Sequence, residues 1–341
     1  RVRIRQKTSH PTAAAAAAAA VASPHEQKGE PAERRRRPFV IMRRATQLAC
    51  ALALMAAIAA SGAAAASATC SAPPPDVAAP HDYSPVLGVP IGEGHPASGL
   101  PGFTRSAYRR DYGLVTPESR VWNSQPGWSK SVTSHLISRG SGAHFAMYLA
   151  RLSAGGAAQP AKAVGTERFL MVLDGAVTVS DGAESVQLSA NHFAYLPPNS
   201  SHVVSSEDGA GLVVYERQYA LSGSPTFRHG YVEDSPLLPA PPEVFRLRKL
   251  LPATEEYDFN MHVMDFSPGE YLVVKEVHYN QHGLLLLEGQ GIYRLADDWY
   301  PVQAGDAIWM APYVTQWYAA LGNKPSRYLL YKDTTVDPLA L

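Results

Sequence analysis

Four donor side chains in the C-terminal part of the chain have the types and the spacing that a metal site needs. Glu276, His278 and His282 follow one another at i, i+2 and i+6, and Gln316 lies downstream. Alternate residues of a β-strand point to the same face, so we expect one strand to aim Glu276 and His278 at one point. His282 reaches that point if the chain turns inward. Two imidazoles, a carboxylate and an amide favour Mn, Fe, Co or Ni over structural zinc.

Comparison of the chain with itself reveals an internal repeat that must position these donors. At an offset of 114 residues, 168–175 aligns with 282–289, and 191–198 aligns with 305–312. The segment 283–289 is an apolar run closed by glycine, which predicts a buried strand ending in a turn. The part of the chain that follows the leader is therefore predicted to hold two copies of one module.

Both modules read as short β-strands separated by Gly, Pro, Asn and Asp, so the predicted fold class is all-β. Strands are predicted at Ala176–Val179, Phe193–Leu196, Gly211–Tyr215, Ile292–Leu295 and Ala307–Met310. A short helix is predicted between the modules, at 242–251. The sheets are predicted to be closed or sandwiched, because open edges would pair with other chains. We expect an extended arm over 69–118, an N-terminal barrel over 119–235 and a C-terminal barrel over 236–341.

The first 68 residues are predicted to be a leader. Residues 1–41 contain an alanine run and four consecutive arginines, and we interpret them as non-native upstream sequence. Residues 42–68 have the charged start, the apolar centre and the Ala-Ser-Ala end of a signal peptide. A membrane anchor is the alternative, but the apolar stretch is short and rich in alanine. We therefore expect a secreted-pathway protein that begins near Thr69 and has no membrane partner after cleavage.

Charge and cysteine content exclude two further classes. Residues 1–68 hold eleven of the 30 Lys and Arg residues and three of the 30 Asp and Glu residues, so the remainder has a net formal charge of −8. This part of the chain has no basic patch to suggest a nucleic-acid partner, so we expect none. Cys70 is the one cysteine after Cys50, which lies in the leader, so we expect no intramolecular disulfide framework.

The donor pattern and its surrounding turns resemble the two cupin motifs. The matching positions are the pair Pro268-Gly269, the donors at 276, 278 and 282, Gly289, Gly305-Asp306, Pro312 and Gln316. This resemblance implies a bicupin, which is two tandem jelly-roll (double-stranded β-helix) barrels. The usual cupin order is His-x-His, then Glu, then His. Here it is Glu-x-His, then His, then Gln.

The permuted order and its neighbours are similar to the (S)-ureidoglycine aminohydrolase family of plant and bacterial bicupins. The matching segments are 275–294, 309–312, 316–318 and 327–332. The resemblance implies a hydrolase that converts (S)-2-ureidoglycine, a small ureide of purine and allantoin breakdown, to (S)-ureidoglycolate and ammonia. It also implies one Mn²⁺ per chain, a location in the endoplasmic reticulum lumen, in agreement with the leader, and a homo-oligomer.

The same resemblance implies roles for individual residues. The metal ligands would be Glu276, His278, His282 and Gln316, and substrate would contact Glu276, Gln316, Tyr328 and Lys332. Glu276 and Lys332 are the expected catalytic residues. Lys332 would clamp the substrate carboxylate, and our own hypothesis, separate from the resemblance, is that Glu276 leaves the metal to act as a proton shuttle. Tyr328 and Lys332 lie four residues apart on the last strand and so face one side. We expect Tyr293 to close the pocket or to pack in the core.

The N-terminal module serves as an internal control. At the positions that align with the four donors it has Lys162, Val164, Arg168 and His202. Two cations there would repel a divalent ion, and Glu167 alone is a weak substitute. We therefore predict no metal in this barrel and interpret it as scaffold and oligomer interface.

Two other functions remain open from the residues alone. A different metal-cupin enzyme, an oxidase or dioxygenase, would keep a three-His-one-Glu set or a facial triad. A storage or ureide-binding bicupin would lack a full donor set. His144 and His262 are interpreted as barrel-strand residues, and Asn199 begins an Asn-x-Ser glycosylation pattern.

Overall fold

The computed structural model describes residues 81–88, 103–335, 337 and 339. The predicted leader and both cysteines lie outside these residues. Within the part of the chain that the structure describes, no helix has the length and apolar character to cross a membrane. The described residues include one α-helix, α1 (Ser84–Leu87), and three short 3₁₀ helices, which span Pro117–Ser119, Arg139–Ser141 and Val232–Asp234. The rest of the regular structure is β-sheet, which confirms the predicted all-β class.

The N-terminal barrel is built from one sheet of eight strands. Its strand order is β10-β7-β5-β8-β4-β3, while β6 pairs with β5, and β9 pairs with β4 and β5. The bounds are β3 (Trp128–Ile137), β4 (Phe145–Ala158), β5 (Thr166–Ser180), β6 (Ser185–Ser189), β7 (His192–Leu196), β8 (Val203–Ser206), β9 (Ala210–Gln218) and β10 (Arg228–Tyr231). Its interior is filled by small and branched apolar side chains such as Leu170, Val172 and Val214.

The C-terminal barrel consists of an eight-stranded and a three-stranded sheet. The strand orders are β1-β2-β17-β14-β19-β13-β12-β11 and β16-β15-β18. The bounds are β1 (Ala107–Tyr108), β2 (Tyr112–Val115), β11 (Leu237–Leu238), β12 (Arg246–Lys249), β13 (Phe259–Phe266), β14 (His282–Glu288), β15 (Gln290–Leu295), β16 (Asp298–Gln303), β17 (Ala307–Met310), β18 (Gln316–Ala320) and β19 (Ser326–Asp333). A core that includes Leu284, Leu286 and Tyr318 fills the space between the two sheets.

The five strands predicted by name are confirmed, but the helix predicted at 242–251 is wrong. Strand β12 occupies this region, pairs with β13, and has Arg248 Nη1 3.2 Å from Asp265 Oδ2. This segment lies beside β13, near the edge of the eight-stranded sheet. Pairing with β13 satisfies its backbone N–H and C=O groups, as a helix would have done. The predicted arm supplies β1 and β2, and β2 extends the large C-terminal sheet by pairing with β17.

The outer faces of the two barrels pack together. Phe145 of the N-terminal barrel stacks on Tyr331 of the C-terminal barrel with ring centroids 4.0 Å apart. The Tyr215 hydroxyl donates to the carbonyl oxygen of Gly283 at 3.4 Å. The N-terminal barrel therefore contacts the residue that follows His282.

A buried charge cluster also joins the barrels. Arg217 contacts the carboxylate of Asp333 at 2.9 Å and that of Asp258 at 3.4 Å. Glu167 lies 3.7 Å from Arg217, and burial together with the neighbouring Asp258 raises the pKa of Glu167 to about 9. Glu167 is thus protonated at neutral pH, which reduces the number of buried negative charges that Arg217 must balance.

Candidate metal centre

The donor atoms of Glu276, His278 and His282 converge in the C-terminal barrel. One ligand atom from each lies within 4.8 Å of the others. The Nε2 atoms of His278 and His282 are 3.2 Å apart, and Glu276 Oε2 is 3.6 Å from His278 Nε2. The side-chain amide of Gln316 is 3.0 Å from His278 Nε2. The structure therefore brings all four predicted donors together.

Two strands and one irregular segment position these donors. His282 is the first residue of β14 and Gln316 is the first residue of β18, and both side chains are buried. Glu276 and His278 lie in the segment between β13 and β14. The strand predicted for them is wrong, because only an isolated backbone bridge forms there. The Glu276 N–H donates to the Gln316 carbonyl at 2.9 Å, and the reverse bond is 3.0 Å long.

The hydrogen bonding of His282 leaves one ring nitrogen for a ligand. Its Nδ1 is 3.2 Å from the Tyr331 carbonyl oxygen, which can only accept, so Nδ1 carries the hydrogen and Nε2 presents a lone pair. Burial lowers the pKa of His282 well below its usual range, and the nearby Lys332 lowers it further. The ring is therefore neutral, which is the state that binds metals.

The donor set fits a divalent cation. Two imidazoles and a carboxylate offer acceptors at one point, and such groups repel one another unless a positive charge lies between them. The Gln316 amide has its Nε2 3.0 Å from His278 Nε2 and its Oε1 3.4 Å from the Tyr293 hydroxyl, so a half-turn of the amide would bring its oxygen to a bound ion. Ligands bound at about 2.0–2.2 Å to one ion lie about 3–4.4 Å apart, close to the separations observed here. The Glu276 and His278 side chains remain 32% and 22% exposed, so one side of the cluster is open to a substrate.

The residues predicted to bind substrate surround the cluster. Lys332 and Tyr328 lie on β19, and Lys332 is directly opposite His282 on β14. Burial lowers the pKa of Lys332, and the nearby Glu276 opposes this effect. Tyr293 is buried in the barrel core, and its hydroxyl donates to Gln316 Oε1 at 3.4 Å. Tyr293 therefore both packs in the core and contacts a predicted ligand.

The N-terminal barrel has a different constellation at the corresponding place. Arg168 begins the equivalent stretch of β5, and its guanidinium lies 2.6 Å from the Glu216 carboxylate. His202 stacks on Phe227 with ring centroids 4.3 Å apart. Arg168 and Glu216 are paired across β5 and β9 as His282 and Lys332 are paired across β14 and β19. In the C-terminal barrel the cation at this register is Lys332, which lies opposite a neutral histidine. In the N-terminal barrel the cation is Arg168, and Glu216 neutralises it.

Sequence reasoning missed some of the polar side chains near the cluster. His262 and Lys249 lie opposite each other on β13 and β12, and His262 points into the barrel interior. His262 has no partner donors nearby in the sequence, which therefore indicates only a strand residue at this position. Asn260, His262 and Met264 alternate along β13 and so lie on one face of the strand. Only the pairing of β13 with β19, which places Asn260 opposite Lys332, shows that this face is near the donor cluster.

Known proteins resemble this chain over most of the described residues. A cupin-domain family model matches residues 262–331. The chain is 55% identical over 244 residues to a protein of Arabidopsis thaliana named (S)-ureidoglycine aminohydrolase, which covers 70% of this chain and 81% of that protein. It is 56% identical over 244 residues to a probable (S)-ureidoglycine aminohydrolase of Oryza sativa subsp. japonica, covering 70% of this chain and 78% of that protein.

A solved structure agrees with these relatives. The crystal structure of the Escherichia coli protein Ylba is similar with a TM-score of 0.62 and 28% identity, covering 72% of this chain and 99% of that one. The shared fold extends across both barrels. From its sequence identity to the Arabidopsis and rice proteins, this chain belongs to the (S)-ureidoglycine aminohydrolase family of cupin proteins.

Proposed function

We propose that this protein hydrolyses (S)-2-ureidoglycine to (S)-ureidoglycolate and ammonia in the breakdown of purine-derived ureides. The bond between Cα and the amine nitrogen breaks, a bond from Cα to the water oxygen forms, and the water proton leaves with the amine as ammonia. The observation that carries the proposal is the convergence of Glu276, His278, His282 and Gln316 beside Lys332, in a chain 55% identical to a named aminohydrolase.

We propose that the four donors hold one Mn²⁺ per chain. A neutral amide ligand leaves the site with one anionic donor, Glu276, so the site as a whole stays positive and attracts an anionic substrate. A bound Mn²⁺ would supply a Lewis acid that orients the substrate and polarises it or a water molecule. The fixed tautomer of His282 supports this assignment, because its Nε2 lone pair faces the other donors.

Lys332 is proposed to hold the substrate carboxylate. Lys332 is the direct partner of His282 on the neighbouring antiparallel strand, so the two side chains lie on the same face of the sheet. A substrate anchored there would place Cα next to the donor cluster. The buried Tyr293 and Tyr328 close the inner side of this space and would exclude bulk water, which helps to fix the stereochemistry.

Glu276 is proposed to move the proton between the attacking water and the leaving amine. Its carboxylate is the most exposed of the three clustered donors and lies 3.6 Å from His278 Nε2, so it can leave the cluster without disturbing the core. Replacing it by glutamine removes the base but keeps an oxygen donor. A Glu276→Gln protein that binds metal normally and keeps most of its turnover would contradict this role.

The remaining expectations concern the cell and the assembly. We propose that the mature protein resides in the endoplasmic reticulum lumen, supported by the signal-peptide pattern at 42–68. We also propose a homo-oligomer, with the N-terminal barrel as scaffold and subunit interface. Extraction of the tagged protein with organelle fractions and light scattering of the purified protein test these two statements.

The reaction itself is tested by ammonia release from freshly prepared ureidoglycine. The protein, beginning at Thr69, is stripped of metal and reloaded with Mn²⁺. We expect ammonia only after reloading, together with a single ureidoglycolate enantiomer. A folded, reloaded protein that releases no ammonia, or that gives a racemic product at the uncatalysed rate, would contradict the proposed reaction.

A further inference from the structure

A cavity in the C-terminal barrel is lined in part by Lys332, the partner of His282 on the neighbouring strand. Its volume is about 270 Å³, and its lining includes Lys249, His262, Lys332, Asn260 and Glu255. Lys332 belongs to both places, since it lines this cavity and lies opposite His282. The cavity is therefore next to the space in which the proposed reaction takes place.

His262 supplies an unused polar atom to this region. Its side chain is 8% exposed, and its Nε2 is buried without a hydrogen-bond partner among the described residues. A buried ring nitrogen without a partner costs free energy, so such an atom usually has a ligand or a water to contact. Burial, with Lys332 and Lys249 nearby, lowers the pKa of His262 to about 3, so the ring is neutral and has one N–H to donate.

Lys249 adds a second positive charge on the same wall. It lies directly opposite His262 on adjacent antiparallel strands, and such pairs point to the same face of the sheet. Lys249 and Lys332 are both half-buried, whereas Glu255, the carboxylate on the lining, belongs to an exposed residue. Two ammonium groups and a neutral imidazole favour an anionic group with several acceptor oxygens.

We propose that Lys249 and His262 form a subsite for the carboxylate of the substrate. In this arrangement the carboxylate lies between these two residues and the donor cluster. His262 donates one hydrogen bond, and Lys249 and Lys332 together balance the negative charge. This inference rests on the proposed function and deepens it, because it makes the cavity a selector for anionic ureides over neutral ones. It assigns specificity to two residues on β12 and β13, away from the donor-bearing segments.

Binding of an unreactive analogue tests the subsite without turnover. N-carbamoylglycine has the carboxylate and the ureido group of the substrate but lacks the leaving amine, and N-carbamoylglycinamide is its uncharged counterpart. Calorimetric titration of the Mn²⁺-reloaded protein gives Kd for both. We expect the acid to bind more tightly than the amide, by about tenfold or more, because a charge-assisted hydrogen bond contributes roughly 1.5–3 kcal/mol.

The variants separate the contribution of each residue. Lys249→Met and His262→Phe are each expected to weaken binding of the acid by about tenfold and to leave binding of the amide unchanged. Lys249→Arg keeps the charge and should bind like the wild type. Lys324→Met removes the same charge from an exposed turn at the other end of β19 and should have no effect. His262→Gln, which restores a donor, serves where the phenylalanine variant unfolds.

The outcomes distinguish this inference from the proposed reaction. Acid binding that is unchanged in Lys249→Met and His262→Phe, an equal loss for acid and amide, or no binding to the wild type would each overturn the subsite. A wild-type protein that binds the acid through Lys249 but releases no ammonia from ureidoglycine would instead overturn the reaction and leave the subsite standing.

Discussion

His282 and Lys332 lie directly opposite each other on the antiparallel strands β14 and β19. This register places a predicted metal ligand and the predicted carboxylate clamp side by side, on one face of one sheet. In the N-terminal barrel the same register pairs Arg168 with Glu216, which neutralise each other at 2.6 Å. The two barrels therefore share this strand register, while the paired side chains differ in chemistry as the other donor positions do.

Lys332 is expected to contribute mainly to substrate binding. Lys332→Met removes its charge, and we expect kcat/KM to fall by about 10- to 100-fold, largely through KM, because a hydrogen bond to a charged group contributes roughly 1.5–3 kcal/mol. Lys332→Arg retains the charge and should recover part of the loss. Steady-state ammonia assays with a parallel measurement of bound Mn²⁺ check this. An unchanged KM in the methionine variant would contradict the assignment.

A charge cluster around His81 is expected to make stability depend on pH. His81 contacts Glu233 at 3.0 Å and Glu288 at 2.8 Å, and Glu233 also pairs with Arg327 at 2.8 Å. Burial and the Arg327 guanidinium, whose Nη1 is 2.7 Å from His81 Nε2, oppose the charge on His81, but the two carboxylates outweigh both and raise the pKa of His81 to about 9. Burial likewise opposes the charge on Glu233, but His81 and Arg327 lower the pKa of Glu233 to about 2.

The sign of each contribution follows from these shifts. The stabilisation by His81 is complete below its ordinary pKa of 6.5 and is lost as the pH rises through 9, whereas that by Glu233 is present above 4.5 and lost as the pH falls through 2. His81→Gln should therefore lower the free energy of unfolding by on the order of 1–3 kcal/mol near pH 6 and by little above pH 9. Urea denaturation at several pH values measures this, with the exposed His229→Gln as control. Equal losses at pH 6 and pH 10 would refute it.

Gly283 is expected to be intolerant of any side chain. A Cβ at this position would lie 2.5 Å from Phe145 Cζ of the other barrel, so Gly283→Ala forces the barrels apart. We expect a loss of about 1–3 kcal/mol in the free energy of unfolding, and weaker metal binding through the adjacent His282. Gly140→Ala, whose Cβ would meet only Ser138 Oγ at 3.4 Å, should cost nothing measurable. Urea denaturation of both variants decides between packing and a general effect of alanine.

The local parts of this fold were predictable from the sequence. Alternating apolar residues between Gly, Pro and Asn identify strands because both signals act within a few residues, and β17 has the predicted bounds. The donors Glu276, His278 and His282 could be identified because they lie within seven residues of one another. Gln316 could be identified because it occupies a defined place in the repeated module. The resemblance to a family then supplied Lys332, Tyr328 and the expected metal.

Long-range packing was not predictable in the same way. Arg217, Asp258 and Asp333 come from three separate segments, and only the packing of one barrel on the other brings them together. His81 likewise meets Glu233 and Glu288 only in the folded protein. The segment around Glu276 was expected to be a strand, but a single backbone bridge to Gln316 is enough to hold it in place.

The central claim is that one metal ion binds in the C-terminal barrel and none in the N-terminal barrel. The most direct test is the amount of Mn²⁺ bound per chain after reloading, measured by elemental analysis and electron paramagnetic resonance for the wild type, His278→Ala and His202→Ala. We predict one ion per chain in the wild type and in His202→Ala, and none in His278→Ala. Two ions per chain, or one ion retained in His278→Ala and lost in His202→Ala, would contradict the account.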